Sequence, residues 1–203
     1  MDSPFAPLPG SGPPPRGLFV DRWGTLLERP GKGWSTRFDS TSFTPGAVDA
    51  LFHAGQAGWN IYLIGNVEEV AFGHVSQARW DAFEAELVSA LRAAGVHVTR
   101  SYSCSDHPDG VAGHTKDSVF LLPNTGAMYH AAQVDGIRLR ETWVIGDSSL
   151  ELVAGWRAGC RLAGVRTGEG LRDGQLHVEP DVLADDLARA VREATSGARV
   201  ARH

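Results

Sequence analysis

Short apolar runs alternate with stretches of helical period along most of this chain, and that alternation limits the fold more than any other feature. Strands are expected at Leu18–Val20, Asn60–Ile64, around Val98–Tyr102, at Thr142–Ile145 and at Arg161–Val165. Helices are expected at Gly46–Ala57, Gln77–Ala94, Gly126–Val134, Leu150–Ala158 and Val182–Ala194, with Val48, Leu51 and Phe52 setting the period of the first. Pro45 and Pro180 stand where helices tend to begin, and Gly95, Gly136 and Gly159 where they tend to stop. Strands that alternate with helices call for a parallel sheet covered on both faces, an α/β three-layer sandwich.

The totals agree with one such domain. The chain has 203 residues with 42% apolar, enough for a sizeable core. Its formal net charge of −5 gives no reason to expect nucleic acid or an anionic membrane as partner. Two cysteines, Cys104 and Cys160, cannot make a disulfide framework, which fits a reducing, cytoplasmic setting. The sequence shows no apolar run of about 18 residues to span a bilayer and no basic-then-apolar leader. Residues 1–16, with Pro4, Pro7, Pro9 and Pro13 to Pro15, are expected to form a flexible arm, and residues 196–203 a disordered tail. The folded domain is expected over residues 17–195.

In parallel sheets, ligands sit beyond the carboxyl ends of the strands. The first strand is followed by Asp21-Arg22-Trp23-Gly24-Thr25, the second by Gly65-Asn66, and the strand ending at Ile145 by Gly146-Asp147-Ser148-Ser149-Leu150-Glu151. Asp21, Asp147 and Glu151 could therefore converge. Three carboxylates at one sheet edge repel unless a cation neutralises them, and carboxylates with a backbone carbonyl suit Mg²⁺ better than zinc. The plainer alternative is that Asp147 and Glu151 cap and charge the start of a helix. That alternative leaves Asp21, placed the same way after another strand, unexplained.

These residues resemble the haloacid dehalogenase-like superfamily of phosphohydrolases, most of all its histidinol-phosphate and heptose-bisphosphate phosphatase branch. Phe19 to Leu26 stand for the family's first motif, an apolar strand then Asp-x-Asp-Gly-Thr. Phe43-Thr44-Pro45-Gly46-Ala47 are similar to its Phe-x-Pro-Gly-Val, and Ile64-Gly65-Asn66 to its Val-Thr-Asn. Tyr102 to Pro108 are similar to the branch's Tyr-Tyr-Cys-Pro-His-His-Pro. Leu121-Leu122-Pro123 lie where Arg-Lys-Pro is usual, and Gly146-Asp147 through Glu151 match Gly-Asp-x-x-x-Asp. The resemblance runs from about residue 17 to 192 and implies a Rossmann-like fold with the site at the strand ends.

By that resemblance Asp21 is the nucleophile, which attacks phosphorus to form an aspartyl-phosphate that water cleaves. Mg²⁺ is then held by Asp21, the Trp23 carbonyl, Asp147 and Glu151, the last one methylene longer than the family's Asp. Three parts are missing. Trp23 replaces the acid that protonates the leaving oxygen, and its indole N–H has no useful pKa. Gly65 replaces the Thr or Ser that contacts the phosphoryl oxygens, leaving its backbone N–H and the neighbouring Asn66. Leu122 replaces the charge-balancing Lys. Loss of a general acid/base costs on the order of 10²–10⁴ in rate, and loss of one electrostatic donor about 10²–10³.

The candidate substitutes are Arg22, which follows the nucleophile at a position that usually points away from the site, and Lys116, for which a solvated loop position is the plainer reading. Haloacid dehalogenases carry an aromatic at the position of Trp23 but keep the Lys, so Leu122 counts against that activity. Of the branch's zinc ligands only Cys104 fits, with Asp106, His107 and His114 nearby, so a loop without zinc is the expectation. Cys160 is expected in the core. The segments after Leu26 and Asn66 leave no room for a large cap domain. An open site follows, of a kind that in this family tends to suit large substrates or to rely on partners. A small phosphorylated molecule is a possible ligand; loops, a protein partner or a second copy would shield the site, and Trp34 is one conceivable contact. Three functions remain open: a metal-binding protein with slow or lost turnover, an active phosphohydrolase with a rebuilt site, and, more weakly, a partner-binding scaffold.

Overall fold

The computed structural model describes residues 15–30 and 42–196. Most of the expected proline arm, the tail from residue 197, Lys32 and Trp34 lie outside the described residues. The elements run β1 (Arg16–Asp21), α1 (Ala47–Gln56), β2 (Trp59–Asn66), α2 (Glu68–Ala71), α3 (Gln77–Ala93) and β3 (Val98–Cys104). There follow α4 (Gly126–Asp135), a 3₁₀ turn at Leu139–Glu141, β4 (Trp143–Gly146), α5 (Ser149–Ala158), β5 (Arg161–Val165), β6 (Val182–Ala184) and α6 (Leu187–Thr195). The six strands form one parallel sheet in the order β3-β2-β1-β4-β5-β6.

Strand side chains alternate between faces, and the apolar runs use both. Leu18, Val20, Ile61 and Leu63 point into one core, where they meet α1, α3 and α6. Phe19, Tyr62, Ile64 and Val144 point into the other, beneath α4 and α5. Phe19 and Tyr62 stack there with ring centroids 4.6 Å apart. This is the three-layer α/β sandwich, with no separate cap domain among the described residues. Cys104 and Cys160 are both free thiols and buried. Among the described residues no helix is long and apolar enough to cross a membrane.

One expected element is corrected. Val182–Ala194 is not a single helix: Val182, Leu183 and Ala184 pair with Ala163, Gly164 and Val165 as a sixth strand. Three consecutive apolar residues satisfy either period, and the open edge of β5 decides the matter. The helix begins only after Asp186, whose side chain accepts from the Arg189 N–H. The short α2 and the 3₁₀ turn were not expected from the periodicity.

The strand order reverses between β1 and β4, so the crevice of this sheet opens where those two strands end. Asp21 closes β1, and Asp147 follows β4 directly.

Candidate functional site

β1 ends in a tight turn. The Leu26 and Leu27 N–H groups donate to the Asp21 and Arg22 carbonyls at 3.2 and 2.7 Å, and the Gly24 N–H donates to the Leu27 carbonyl at 2.7 Å. Gly24 sits at φ 87°, and a Cβ there would collide with the Asp147 carboxylate. Gly168, from the segment after β5 and at φ 58°, packs against Gly24, and a Cβ there would collide with the same carboxylate oxygen and with the Gly24 backbone. Asp147 is thus seated with Oδ2 against a pair of touching glycines. Its Oδ2 accepts from the Glu169 N–H at 2.7 Å, and its backbone carbonyl accepts from the Leu171 N–H at 2.7 Å.

The third acid enters through helix capping. Ser148 is the N-cap of α5, and Glu151 returns to it: Oε1 accepts from the Ser148 N–H at 2.7 Å and Oε2 from its hydroxyl at 2.6 Å. The capping alternative weighed for Glu151 is therefore realised, yet the carboxylate still faces the crevice. Asp21, Asp147 and Glu151 each offer an oxygen, and these lie within 4.8 Å of one another. Among the described residues this is the one group of acids, histidines or cysteines close enough to share an ion. Asp147 and Glu151 are buried and Asp21 is partly so. Burial pushes the Asp21 carboxyl well up, and the charges of Glu151 and Asp147 push it further. Burial, then Asp147, pushes Glu151 up to about 7. Burial raises Asp147 too, against the pull of the Glu169 N–H and Arg29. Three carboxylates that resist ionising together fit a divalent cation of the hard, oxygen-seeking kind.

The cavity above the acids, of about 320 Å³, is lined by Asp21, Trp23, Asn66, Leu122, Asp147 and Glu151, and by residues the sequence had not singled out. Trp23 lies partly in this wall, but its ring stacks on Phe83 at 5.3 Å and packs into the core. Asn66 does not offer a free amide: its Oδ1 accepts from the Leu122 N–H at 2.8 Å and its Nδ2 donates to the Leu122 carbonyl at 3.1 Å. Gly65 has φ 155°, and a Cβ there would stand 3.3 Å from Asp21 Oδ1 and 3.4 Å from Arg22 Nη1.

Two expected phosphate contacts lie elsewhere. Arg22 is 2% exposed and turned away from the cavity, its Nε and Nη2 on Glu84 of α3 at 2.9 and 2.8 Å. Nη2 also donates to the Ser103 hydroxyl at 2.7 Å. Burial would raise the Glu84 carboxyl, but the guanidinium holds it below its ordinary value. Arg22 is thus a structural cation behind the nucleophile position. Lys116 is exposed and does not line the cavity. In the loop after β3, Cys104 Sγ donates to the Asp106 carbonyl at 3.4 Å and His107 Nδ1 accepts from the Asp109 N–H at 3.1 Å. His114 Nδ1 stands 3.8 Å from Asp106 Oδ1.

Sequence reasoning missed Arg29, Glu69, Glu169 and Asp173, all in the cavity wall. Arg29 Nη1 bonds Glu169 Oε1 at 2.7 Å, and its Nη2 lies 3.3 Å from Asp147 Oδ2. Asp173 accepts from the Ser149 N–H at 3.1 Å and from its hydroxyl at 2.5 Å. Glu69 is buried, and that burial raises its carboxyl pKa. Glu69 was within reach, since it comes three residues after Asn66, in the short α2 just beyond a strand's carboxyl end. Arg29, Glu169 and Asp173 lie farther along loops that carried no pattern.

Known proteins are similar to this chain in sequence and fold. A HAD-hydrolase-like family model matches residues 122–190. The D-glycero-beta-D-manno-heptose-1,7-bisphosphate 7-phosphatase of Pseudomonas putida is 31% identical over 150 residues, covering 73% of this chain and 82% of that protein. The enzyme of the same name from Pseudomonas aeruginosa is 29% identical over 172 residues, covering 84% and 93%. Among solved structures, D,D-heptose 1,7-bisphosphate phosphatase from B. bronchiseptica, complexed with magnesium and phosphate, superposes with a TM-score of 0.73 at 25% identity, covering 90% of this chain and 99% of that one. The chain belongs to the haloacid dehalogenase-like superfamily of hydrolases, and within it to the D,D-heptose 1,7-bisphosphate phosphatase-like branch.

Proposed function

We propose that this protein binds Mg²⁺ between Asp21, the Trp23 carbonyl, Asp147 and Glu151, takes up a small phosphorylated molecule there, and hydrolyses phosphomonoesters slowly or not at all. The observation that carries this reading is the contrast within one cavity. Three carboxylates converge within 4.8 Å, and Trp23 and Leu122 line the same cavity; by the resemblance these two, with Gly65 at the end of β2, replace the family's acid, ammonium and hydroxyl. When bound, Mg²⁺ would neutralise these acids and draw a phosphoryl oxygen towards Asp21. The protein's own part is then to hold Asp147 against Gly24 and Gly168, fix Glu151 on Ser148, and keep the indole out of proton transfer. The relatives named for heptose bisphosphate make that sugar phosphate the first ligand to try. Two buried free thiols are in keeping with a cytoplasmic setting.

One observation favours the second reading, an active phosphohydrolase with a rebuilt site. Glu69 is a buried carboxyl in the same cavity wall, with a pKa raised towards the range useful for moving a proton. A single comparison decides. Calorimetry with Mg²⁺ should show binding to the native protein and loss of at least tenfold in affinity for Asp147→Asn. Hydrolysis of an aryl phosphate and of heptose bisphosphate should not exceed that of Asp21→Asn. Turnover that depends on Asp21 would establish the second reading, and Glu69→Gln should then abolish it.

A further inference from the structure

Among the described residues, seven acidic side chains line the cavity and Arg29 is its one basic side chain. A phosphate dianion entering such a place meets repulsion that Leu122, buried and apolar, does nothing to offset. Arg22 cannot help, because its guanidinium is buried on Glu84. Arg29 is placed differently. Its side chain is 44% exposed, and it bridges Glu169, itself 41% exposed, and the inner acid Asp147. The contact with Asp147 Oδ2 is 3.3 Å, long for a charge-assisted bond, and the same oxygen already accepts from the Glu169 N–H at 2.7 Å. The pair with Glu169, exposed on both sides, contributes little to stability and exchanges readily, and the hold on the buried Asp147 is that one long contact.

We infer that Arg29 is the phosphate-binding cation of this site, standing in for the missing lysine, and that it and Mg²⁺ compete for Asp147. The inference rests on the metal-binding reading above. Without metal, the guanidinium lies against Asp147 and partly neutralises the acids. A divalent ion among Asp21, Asp147 and Glu151 supplies that charge and repels the guanidinium. Nη2 is then released at the edge of the metal site, where a phosphoryl oxygen held by the ion would come within its reach. The planar fork suits phosphate oxygens as well as it suits two carboxylates. Phosphate binding should therefore be conditional on metal.

The test is calorimetry on the full chain and on Arg29→Gln, with two titrations. In the first, Mg²⁺ alone is titrated. The variant should bind it about two- to fivefold more tightly, since the competing cation is gone. In the second, inorganic phosphate is titrated at saturating Mg²⁺. The variant should bind it at least about tenfold more weakly, the loss typical of a charged hydrogen-bonding partner. A residue that merely braced the loops would weaken both titrations, and that result overturns the inference. So does wild-type protein that binds Mg²⁺ but no phosphate, or a variant unchanged in the phosphate titration. If the wild-type protein binds no Mg²⁺, the metal-binding reading fails and takes this one with it. If Mg²⁺ binding is intact and only the opposed shifts are missing, the role of Arg29 alone is refuted.

Discussion

The two halves of the crevice have fared differently. The half built from β1 and β4 brings three carboxylates together, two of them fixed by main-chain geometry: Asp147 against a pair of touching glycines and Glu151 on its own helix cap. The half built from the end of β2 and the residues before α4 is held differently. Asn66 bonds the N–H and carbonyl of residue 122, whose side chain is leucine. Those two bonds are indifferent to what residue 122 carries, so its side chain can be replaced while the loop stays in place. The acidic half has no such freedom, because Asp147 and Glu151 are themselves bonded to the main chain around them. A buried ion pair ties the halves together, from Arg22 beyond β1 to Glu84 on α3 and Ser103 on β3.

Breaking that tie should give the largest effect. Glu84→Ala leaves Arg22 buried without its partner and should cost about 3–5 kcal/mol in urea unfolding. A loss below about 1 kcal/mol would mean that water reaches the guanidinium and that the halves are not joined there. Next comes restoring the residues usual in the family. Trp23→Asp with Leu122→Lys should raise Asp21-dependent hydrolysis of an aryl phosphate about 10²-fold, roughly 3 kcal/mol in barrier. Adding Gly65→Thr should not help and should lower stability. A β-branched residue is strained at φ 155°, and its Cβ would press on Asp21 Oδ1 and Arg22 Nη1. A further gain from Thr would show that β2 relaxes at its end. The smallest effect concerns the acid cluster. The folded pKa of Glu151 is raised to about 7, so its proton-linked stability is full below the ordinary carboxylate range and lost as pH rises through 7. Asp21 and Asp147 shift in the same direction. Mg²⁺ removes that penalty. The increase in melting temperature caused by Mg²⁺ should therefore grow by a few degrees between about pH 6 and about pH 8. A flat dependence would place the ion elsewhere.

What the sequence discloses divides along the same line. Five of the six strands and the positions of Asp21, Asp147 and Glu151 follow from apolar runs ending in acids, because strand ends in a parallel sheet must deliver what comes next to one edge. The sixth strand does not follow. Val182-Leu183-Ala184 has no period of its own, and only the unpaired edge of β5 makes it extended. The resemblance likewise points, residue by residue, to Trp23, Gly65 and Leu122 in place of the family's acid, hydroxyl and lysine. The surroundings of those residues are not legible in the same way. Arg22 meets Glu84 across 62 positions of sequence, and Arg29 meets Asp147 across 118. Nothing local to Arg22 says that it will turn inward, or to Arg29 that it will remain over the acids.

β1 lies inside the sheet, with β2 on one side and β4 on the other, and with a core on each face. The backbone of Leu18–Val20 that leads to Asp21 is therefore buried on every side. Its amides are expected to exchange their hydrogens through global opening, unlike those of the loops around it. The position of Asp21 consequently lasts as long as the folded domain itself.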